Sequence, residues 1–329
     1  MKIAIIILNW NGKALLEQFL PSVLLFSKGA KVYVADNAST DNSVEFLKDH
    51  YPQVTIIQNN TNGGYAKGYN DALQHVEADV YCLLNSDVEV TKNWLDPVLE
   101  TFTSNPNTAI IQPKILDQKN KEYFEYAGAA GGFIDKFGYP YCRGRIFNTI
   151  EKDEGQYNDI IDIFWASGAC LFVRSTVFNT LNGFDESFFA HMEEIDFCWR
   201  AKNLGFDVTY VGNSTIYHIG GATLSNTSQK KTYLNFRNSL YTLVKNASNN
   251  IFYLVFIRLL LDGLAGIKFL FEFKPKHTLA IIKAHFSFYN HLSILLKQRK
   301  SQNKIVHFQT HKSIVWSYFI SKKKSFKSL

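Results

Sequence analysis

The sequence predicts an α/β fold in which a mostly parallel central sheet is covered by helices on both faces. Three observations carry this. Short apolar, β-branched runs alternate with stretches of helical spacing, the pattern of strand–helix–strand units whose strands lie parallel. Three of these runs end in clusters of Asn, Asp and Ser, and right-handed crossovers bring such ends to one rim, where open α/β sheets hold ligands. Neither GxGxxG nor GxxxxGK followed by Ser or Thr occurs, so the rim is neither a dinucleotide fingerprint nor a P-loop.

The elements follow in order. Residues 2–8 form a first strand, ending in Asn9, Trp10, Asn11 and Gly12. Their apolar run is too short for a signal peptide and lacks a small-residue cleavage site, so the catalytic part is expected in the cytoplasm. Residues 15–26 have helical spacing, with Pro21 expected to kink or break them. Residues 31–35 are a strand running into Asp36, Asn37 and Asp41, followed by a short helix over 43–51 that Thr40 or Asp41 could cap. A third strand covers 54–58. The segment NGGYAKGYN at 62–70 is a Gly-rich turn opening a helix. Its glycines permit close backbone approach and a helix amino terminus favours phosphate, although a tight turn into an ordinary helix reads equally well. Residues 80–84 are a fourth, buried strand that runs into Asn85, Ser86 and Asp87. Asp87 offers a hard oxygen to Mg²⁺ or Mn²⁺; Asn-Ser-Asp is also a common way to end a strand.

Further on, a helix is expected over 94–102 and a strand over 109–116, with Pro113 demoting the strand to an edge or a bend. Residues 126–145, rich in Gly and aromatics, read as a long loop or hairpins, and strands are expected over 160–165 and 170–173. The stretch GFDESFFAHMEEIDFCWR at 183–200 carries five carboxylates. Asp196 and Arg200 stand at i, i+4, where they can pair, and Glu193 suits a first helical turn as an ordinary dipole complement, leaving Glu194 undetermined. A strand over 208–211 and the segment IYHIGG at 216–221 follow; a lone His such as His218 is more often an ordinary residue than a ligand.

Composition adds limits. At 46% hydrophobic and 15% aromatic, the chain has ample material for a core. Cys82, Cys142, Cys170 and Cys198 stand far apart, which suggests neither a zinc site nor a disulfide framework. The net charge of +6 hides an asymmetry, because no Asp or Glu follows Glu272 while 12 Lys or Arg do. Such a basic, aromatic end suits an anionic surface. Residues 251–273 are apolar but are interrupted by Arg258, Asp262, Lys268 and Glu272, so helices lying on the inner leaflet fit better than a spanning one. A soluble helical cap is the plain alternative. Nucleic-acid binding ranks last, since no binding module is present.

Taken together and in order, LNWNG at 8–12, DNASTDNS at 36–43, NGGYAKGYN at 62–70, LLNSDVEV at 83–90, ASGACLFVRSTVF at 166–178, GFDESFF at 183–189, EEIDFCWR at 193–200 and YHIGG at 217–221 resemble glycosyltransferase family 2. These are inverting enzymes of GT-A fold, and the likeness is to rhamnosyltransferase-like members. The resemblance covers roughly residues 1–240, taken as a catalytic domain, with 241–329 as a helical, basic carboxyl-terminal region. It implies a nucleoside-diphosphate-sugar donor, leaning to deoxythymidine-diphosphate-rhamnose, a glycan or polyprenyl-linked acceptor, and Mg²⁺ or Mn²⁺. Asp36 would hold the nucleobase near Asn9, Asn11 and Asn37. Gly64, Lys67 and Asn70 would line the ribose and diphosphate. Asn85, Ser86 and Asp87 stand at the metal motif, with Asn in place of its first Asp. Asp87 and His218 would be metal ligands, while Ser167, Gly168 and Asp196 would face the acceptor. Glu194 takes the place of the family's catalytic Asp, with Glu193 as runner-up. These departures at Asn85 and Glu194 also admit a non-catalytic binder of sugar nucleotides.

Overall fold

In the computed structural model, which describes residues 1–220, 228–248, 250–300, 305 and 308–329, four strands alternate with helices along the first part of the chain. They are β1 (Ile3–Asn9), α1 (Lys13–Phe26), β2 (Lys31–Asp36), α2 (Ser43–His50), β3 (Thr55–Gln58), α3 (Gly64–Leu73) and β4 (Val80–Asn85). The strands pair in parallel, β4 against β1, β1 against β2, and β2 against β3. Their alternate residues supply two cores: Ala4, Ile6, Tyr33 and Leu83 on one face, Ile5, Ile7, Val34 and Leu84 on the other. Burial on both faces is why these strands read as continuous apolar runs. Helix α1 runs through Pro21 without ending there.

The sheet is mixed rather than mostly parallel. β5 (Val88–Val90), α4 (Asp96–Ser104) and β6 (Thr108–Asp117) lead to a small antiparallel meander of β7 (Gly132–Ile134), β8 (Pro140–Cys142), β9 (Arg145–Ile146) and β10 (Thr149–Ile150). The chain then returns through β11 (Ile160–Asp162) and β12 (Cys170–Arg174), followed by α5 (Ser175–Thr180), α6 (Glu193–Asn203) and β13 (Asp207–His218). β12 lies antiparallel between β4 and β6, and β13 lies antiparallel to β11 and β5 but parallel to β6. The strand order is β11-β13-β6-β12-β4-β1-β2-β3, so β6 is interior, and of the edge or bend expected at Pro113 the edge is excluded. Pro113 sits opposite Val211, where β13 bulges between Val211 and Thr215, and the ladder is interrupted there in any case. The same bulge explains why β13 reads as two short strands in the sequence.

The remaining helices are α7 (Gln229–Asn246), α8 (Ile251–Phe271), α9 (Pro275–Lys300) and α10 (Ile314–Phe319). Residue 240 falls inside α7, and the described residues from 308 onward fold back onto the body. The Phe308 ring lies 4.6 Å from Trp199, Phe326 lies 5.1 Å from Phe133, and Ile314 N donates to Asp135 Oδ2 at 2.9 Å. All four cysteines are buried and unbridged. Among the described residues no helix is long and apolar enough to cross a membrane.

Candidate active site

The strand ends assemble a polar rim. At the end of β1, Asn9 Nδ2 donates to Asp36 Oδ1 at 3.1 Å and to Ser39 Oγ at 3.2 Å. Asn11 Oδ1 accepts from Thr40 N at 2.7 Å, and Asp36 Oδ2 accepts from Ser39 N. Asn37 Nδ2 donates to Asn62 Oδ1 and to the Gly64 carbonyl, which joins this loop to the amino terminus of α3. The four residues expected at the nucleotide therefore share one place. Asn9 Oδ1 is buried and lacks a hydrogen-bond partner among the described residues.

The start of α3 reaches across to the carboxylate pair. Gly64 has φ +78°, and a Cβ there would stand 2.3 Å from the Phe189 carbonyl, so only glycine fits. Tyr65 N donates to that same carbonyl at 2.8 Å, and Tyr65 Oη donates to the Gly168 carbonyl at 3.0 Å. One aromatic residue thus ties the Gly-rich turn to the Ser167–Gly168 segment and to the loop leading into α6. In that loop Phe189, His191 and Met192 all have positive φ, of 65°, 69° and 74°. Such backbone costs energy in non-glycine residues and persists only when its surroundings impose it. Asn238 of α7 does so, donating to the carbonyls of Phe188, Ala190 and His191 at 3.0, 3.0 and 2.7 Å. Arg237 adds bonds to Ser187 and Phe188.

This clamp delivers Glu193 and Glu194 at the first turn of α6. Glu193 is buried; Glu194 is partly exposed, yet its Oε2 is sealed, and neither Oε2 has a hydrogen-bond partner among the described residues. Burial pushes the Glu194 carboxyl up to about 7, opposed by the backbone N–H groups of the helix start. Burial also holds Glu193 well above the carboxylate range, and the neighbouring Glu194 adds to it. Burial thus raises both adjacent acids, so the pair takes up or gives up a proton at a higher pH than free carboxyls do.

Across β4 stands the third part. Asn85 N donates to the Ala169 carbonyl at 3.0 Å, placing the end of β4 beside Gly168. Asp87 and His218 are both buried, with His218 Nε2 3.1 Å from Asp87 Oδ1 and 3.5 Å from Asn85 Nδ2. His218 Nδ1 faces Glu125 Oε1 at 3.6 Å. Burial works against charge on this imidazole, but Asp87 and Glu125 outweigh it and push its pKa up to about 10. Glu125, absent from the sequence-based candidates, is itself held by the backbone N–H of Ala127. A lone Glu in an irregular segment carries no local signal; its contact with a strand more than ninety residues away is visible only in the fold. Among the described residues no group of three His, Cys, Asp or Glu side chains is arranged to hold a metal ion. Asp87 and His218 would nonetheless fit a divalent ion that displaces the imidazolium proton, since a carboxylate oxygen and an imidazole nitrogen converge there and a carboxylate faces the other ring nitrogen; a diphosphate and water would complete the coordination.

Two expectations change. Asp196 does not face an acceptor: it is fully buried, and its carboxylate accepts from Arg200 Nε at 2.8 Å, Lys245 Nζ at 3.0 Å and Asn246 Nδ2 at 2.8 Å. Burial pushes it up, but Lys245 and Arg200 outweigh this and hold it below the usual range, so it joins α6 to α7. Asn70 is spent on the loop at Phe184, donating to its carbonyl and accepting from its N–H, both at 2.9 Å. Lys67 pairs with Asp71 at 2.8 Å and lines, with Asn59 and Thr61, a surface pocket of about 300 Å³ beside the rim. A larger cavity of about 520 Å³ lies between α7 and α9 and touches none of the candidate residues. Ser167 supports the Gly168 turn by donating to the Ala127 carbonyl, and Ser86 lies beside Gly12. Gly221, the last residue of the YHIGG motif, lies outside the described residues.

The profile of the family described as Glycosyl transferase family 2 matches residues 4–180, more than half of the chain. The chain belongs to glycosyltransferase family 2. This glycosyltransferase is 27% identical over 219 residues to the N-acetylglucosaminyl-diphospho-decaprenol L-rhamnosyltransferase of Mycobacterium tuberculosis, covering 62% of this chain and 71% of that protein. It is 25% identical over 290 residues to the low-salt glycan biosynthesis hexosyltransferase Agl10 of Haloferax volcanii, covering 84% and 87%. Its fold is similar to the crystal structure of GalNAc-T7 with UDP, GalNAc and Mn²⁺, at a TM-score of 0.62 and 14% identity, covering 98% of this chain and 57% of that one. The likeness places the enzyme in the GT-A type of α/β fold.

Proposed function

We propose that this glycosyltransferase moves a sugar, with inversion, from a nucleoside-diphosphate sugar to a hydroxyl of a glycan or polyprenyl-linked acceptor in cell-surface polysaccharide synthesis. The observation that carries the reading is Glu194, a sealed and unpartnered carboxyl oxygen tied through Phe189 and Tyr65 to the Gly-rich turn and to Gly168. Asp36, with Asn9, Asn11 and Asn37, holds the nucleobase end, and the amino terminus of α3 faces the diphosphate. Asp87 and His218 hold Mg²⁺ or Mn²⁺, with Asn85 and Ser86 beside them; a bound ion supplies positive charge to the departing diphosphate. Glu194 takes the proton of the acceptor hydroxyl as its oxygen bonds to the anomeric carbon, and the bond from that carbon to the phosphate oxygen breaks. Attack on the opposite face from the leaving group inverts the centre without a covalent enzyme intermediate. Glu193, held above the carboxylate range by burial, stays protonated and sets no negative charge beside it. Catalysis is assigned to the portion through α7, and the basic residues 322–327 are assigned to the anionic inner face of a membrane, where a lipid-linked acceptor resides.

The rhamnosyltransferase among the relatives makes deoxythymidine-diphosphate-rhamnose the first donor to test. The purified enzyme is incubated with single nucleoside-diphosphate sugars and Mn²⁺ or Mg²⁺, and released nucleoside diphosphate is measured. Release with one donor, lost in Asp87→Ala and in Glu194→Gln, supports the reading. Undiminished release in Glu194→Gln removes that residue as the base.

A further inference from the structure

Helix α8 is built inside out. Over Ile251 to Ile267 its two charged residues, Arg258 and Asp262, point into the protein, 3% and 0% exposed. Arg258 Nε pairs with Asp262 Oδ1 at 2.8 Å, its Nη2 donates to Ser239 Oγ at 2.7 Å, and its guanidinium lies 3.7 Å from the centre of the Tyr139 ring. Asp262 also accepts from Tyr139 Oη at 3.0 Å and approaches His285 of α9 at 3.3 Å. The outward face, by contrast, carries Phe252, Tyr253, Phe256, Leu260, Leu264 and Ile267, every one at least 49% exposed. Their spacing of three and four residues makes a single stripe along the helix. Helix α9, joined to α8 through Thr278 Oγ1 and the Gly266 carbonyl, adds the exposed Leu279, Ile282, Phe286 and Tyr289. At the far end Lys268 Nζ lies 5.5 Å from the Phe319 ring, which brings α10 and its exposed Trp316 alongside. A water-facing surface rarely carries so long an apolar stripe.

From this reversal we propose that the outward face of α8, continued by α9 and α10, lies in the interfacial layer of an anionic bilayer with its axis along the membrane plane. It deepens the membrane association assigned above by naming the inserting surface, and it does not depend on which sugar is transferred. The charge around the stripe selects lipid over a second copy of the chain. Four lysines, Lys268, Lys274, Lys276 and Lys283, flank the stripe against one acid, Glu272, which pairs with Lys268 and Lys274, and no acidic residue follows it, so the surplus is positive. A two-fold interface would press this patch onto its own image and set lysine against lysine, whereas anionic headgroups complement it. The inward pins at Arg258 and Asp262 also fix the helix to the protein body, which suits a helix lying in the interface.

The test is vesicle flotation of the full chain with neutral phosphatidylcholine vesicles and with vesicles containing phosphatidylglycerol. Three forms are compared: the wild type, the triple variant Phe256→Ser, Leu260→Ser and Leu264→Ser, and a tail variant with Lys322, Lys323, Lys324 and Lys327 all changed to Ser. The wild type is expected to float with anionic vesicles, and the triple variant to lose partitioning at least tenfold at every salt concentration. The tail variant is expected to bind more weakly and with a smaller dependence on salt. Because the substituted residues face outward, thermal melts of the triple variant should match the wild type. A Phe256→Trp variant gives an independent signal, its emission shifting to the blue on addition of anionic vesicles. A triple variant that floats like the wild type, together with unshifted emission from the Phe256→Trp variant, overturns this proposal while leaving tail-driven binding intact. Absence of flotation by the wild type overturns both membrane readings. A dimer of the wild type in light scattering that becomes a monomer in the triple variant, without flotation of either, assigns the face to a second copy and overturns the lipid proposal.

Discussion

Replacing Glu194 by Gln separates a catalytic carboxylate from a structural one, because the two roles predict opposite changes. Burial raises this carboxyl from its ordinary 4.5 to about 7. Folding therefore favours the protonated form. That contribution is complete below pH 4.5, fades as pH rises through about 7, and is gone by pH 8. A shift of this size corresponds to about 3 kcal/mol at about 1.4 kcal/mol per unit, a ceiling because Glu194 is partly exposed and shares its burial with Glu193. Gln keeps the shape and cannot ionise, so Glu194→Gln should match the wild type in stability near pH 4 and exceed it by up to about 3 kcal/mol at pH 8. Thermal melts across this range measure the difference. Turnover should move the other way: loss of a general base costs about 10²- to 10⁴-fold, and the rise of wild-type kcat/KM through about pH 7 should vanish. A variant that is destabilised at pH 8, or that retains the wild-type pH profile, refutes the reasoning.

Glu125→Gln should lower Mn²⁺ affinity in the presence of nucleoside diphosphate about 10- to 100-fold without unfolding the protein, as calorimetry can measure, because Glu125 backs the far nitrogen of His218. Asp196→Asn should lower stability by about 3 kcal/mol or more in denaturant titration, since it weakens a buried cluster holding Arg200 and Lys245, while acceptor KM stays unchanged; an intact melt with a raised acceptor KM would restore Asp196 to the acceptor site. Gly64→Ala should cost more than about 1 kcal/mol and weaken donor binding, because its Cβ would drive into the Phe189 carbonyl at a positive φ.

Much of the polar rim was legible from residue order, and the reason is physical. β1 to β4 are parallel strands buried on both faces, so they appear as unbroken apolar runs, and the polar residues closing them mark the rim directly. What lay beyond reach depended on contacts distant in sequence. The Pro113 strand is interior because its partner bulges there. Asp196 carries the motif of an acidic site, yet its neighbour from α7 converts it into a buried anchor. Glu125 acquires a role only when β13 brings His218 against it. Arg258 and Asp262 interrupt an apolar run in the sequence, and only the packing of α8 shows that the interruption faces inward. The departures at Asn85 and Glu194, by contrast, could be weighed residue by residue, and the Asn85 backbone does stand beside the Ser167–Gly168 turn.

The central claim is that one cleft presents Asp87 and His218 to the diphosphate and Glu194 to the incoming hydroxyl. Anomalous scattering from crystals soaked with Mn²⁺ and an intact, non-transferable nucleoside-diphosphate sugar tests it most directly. The expected result is one Mn²⁺ peak within coordination distance of Asp87 and His218, with the donor's anomeric carbon between it and Glu194. A peak elsewhere, or a donor whose anomeric carbon faces away from Glu194, would contradict it.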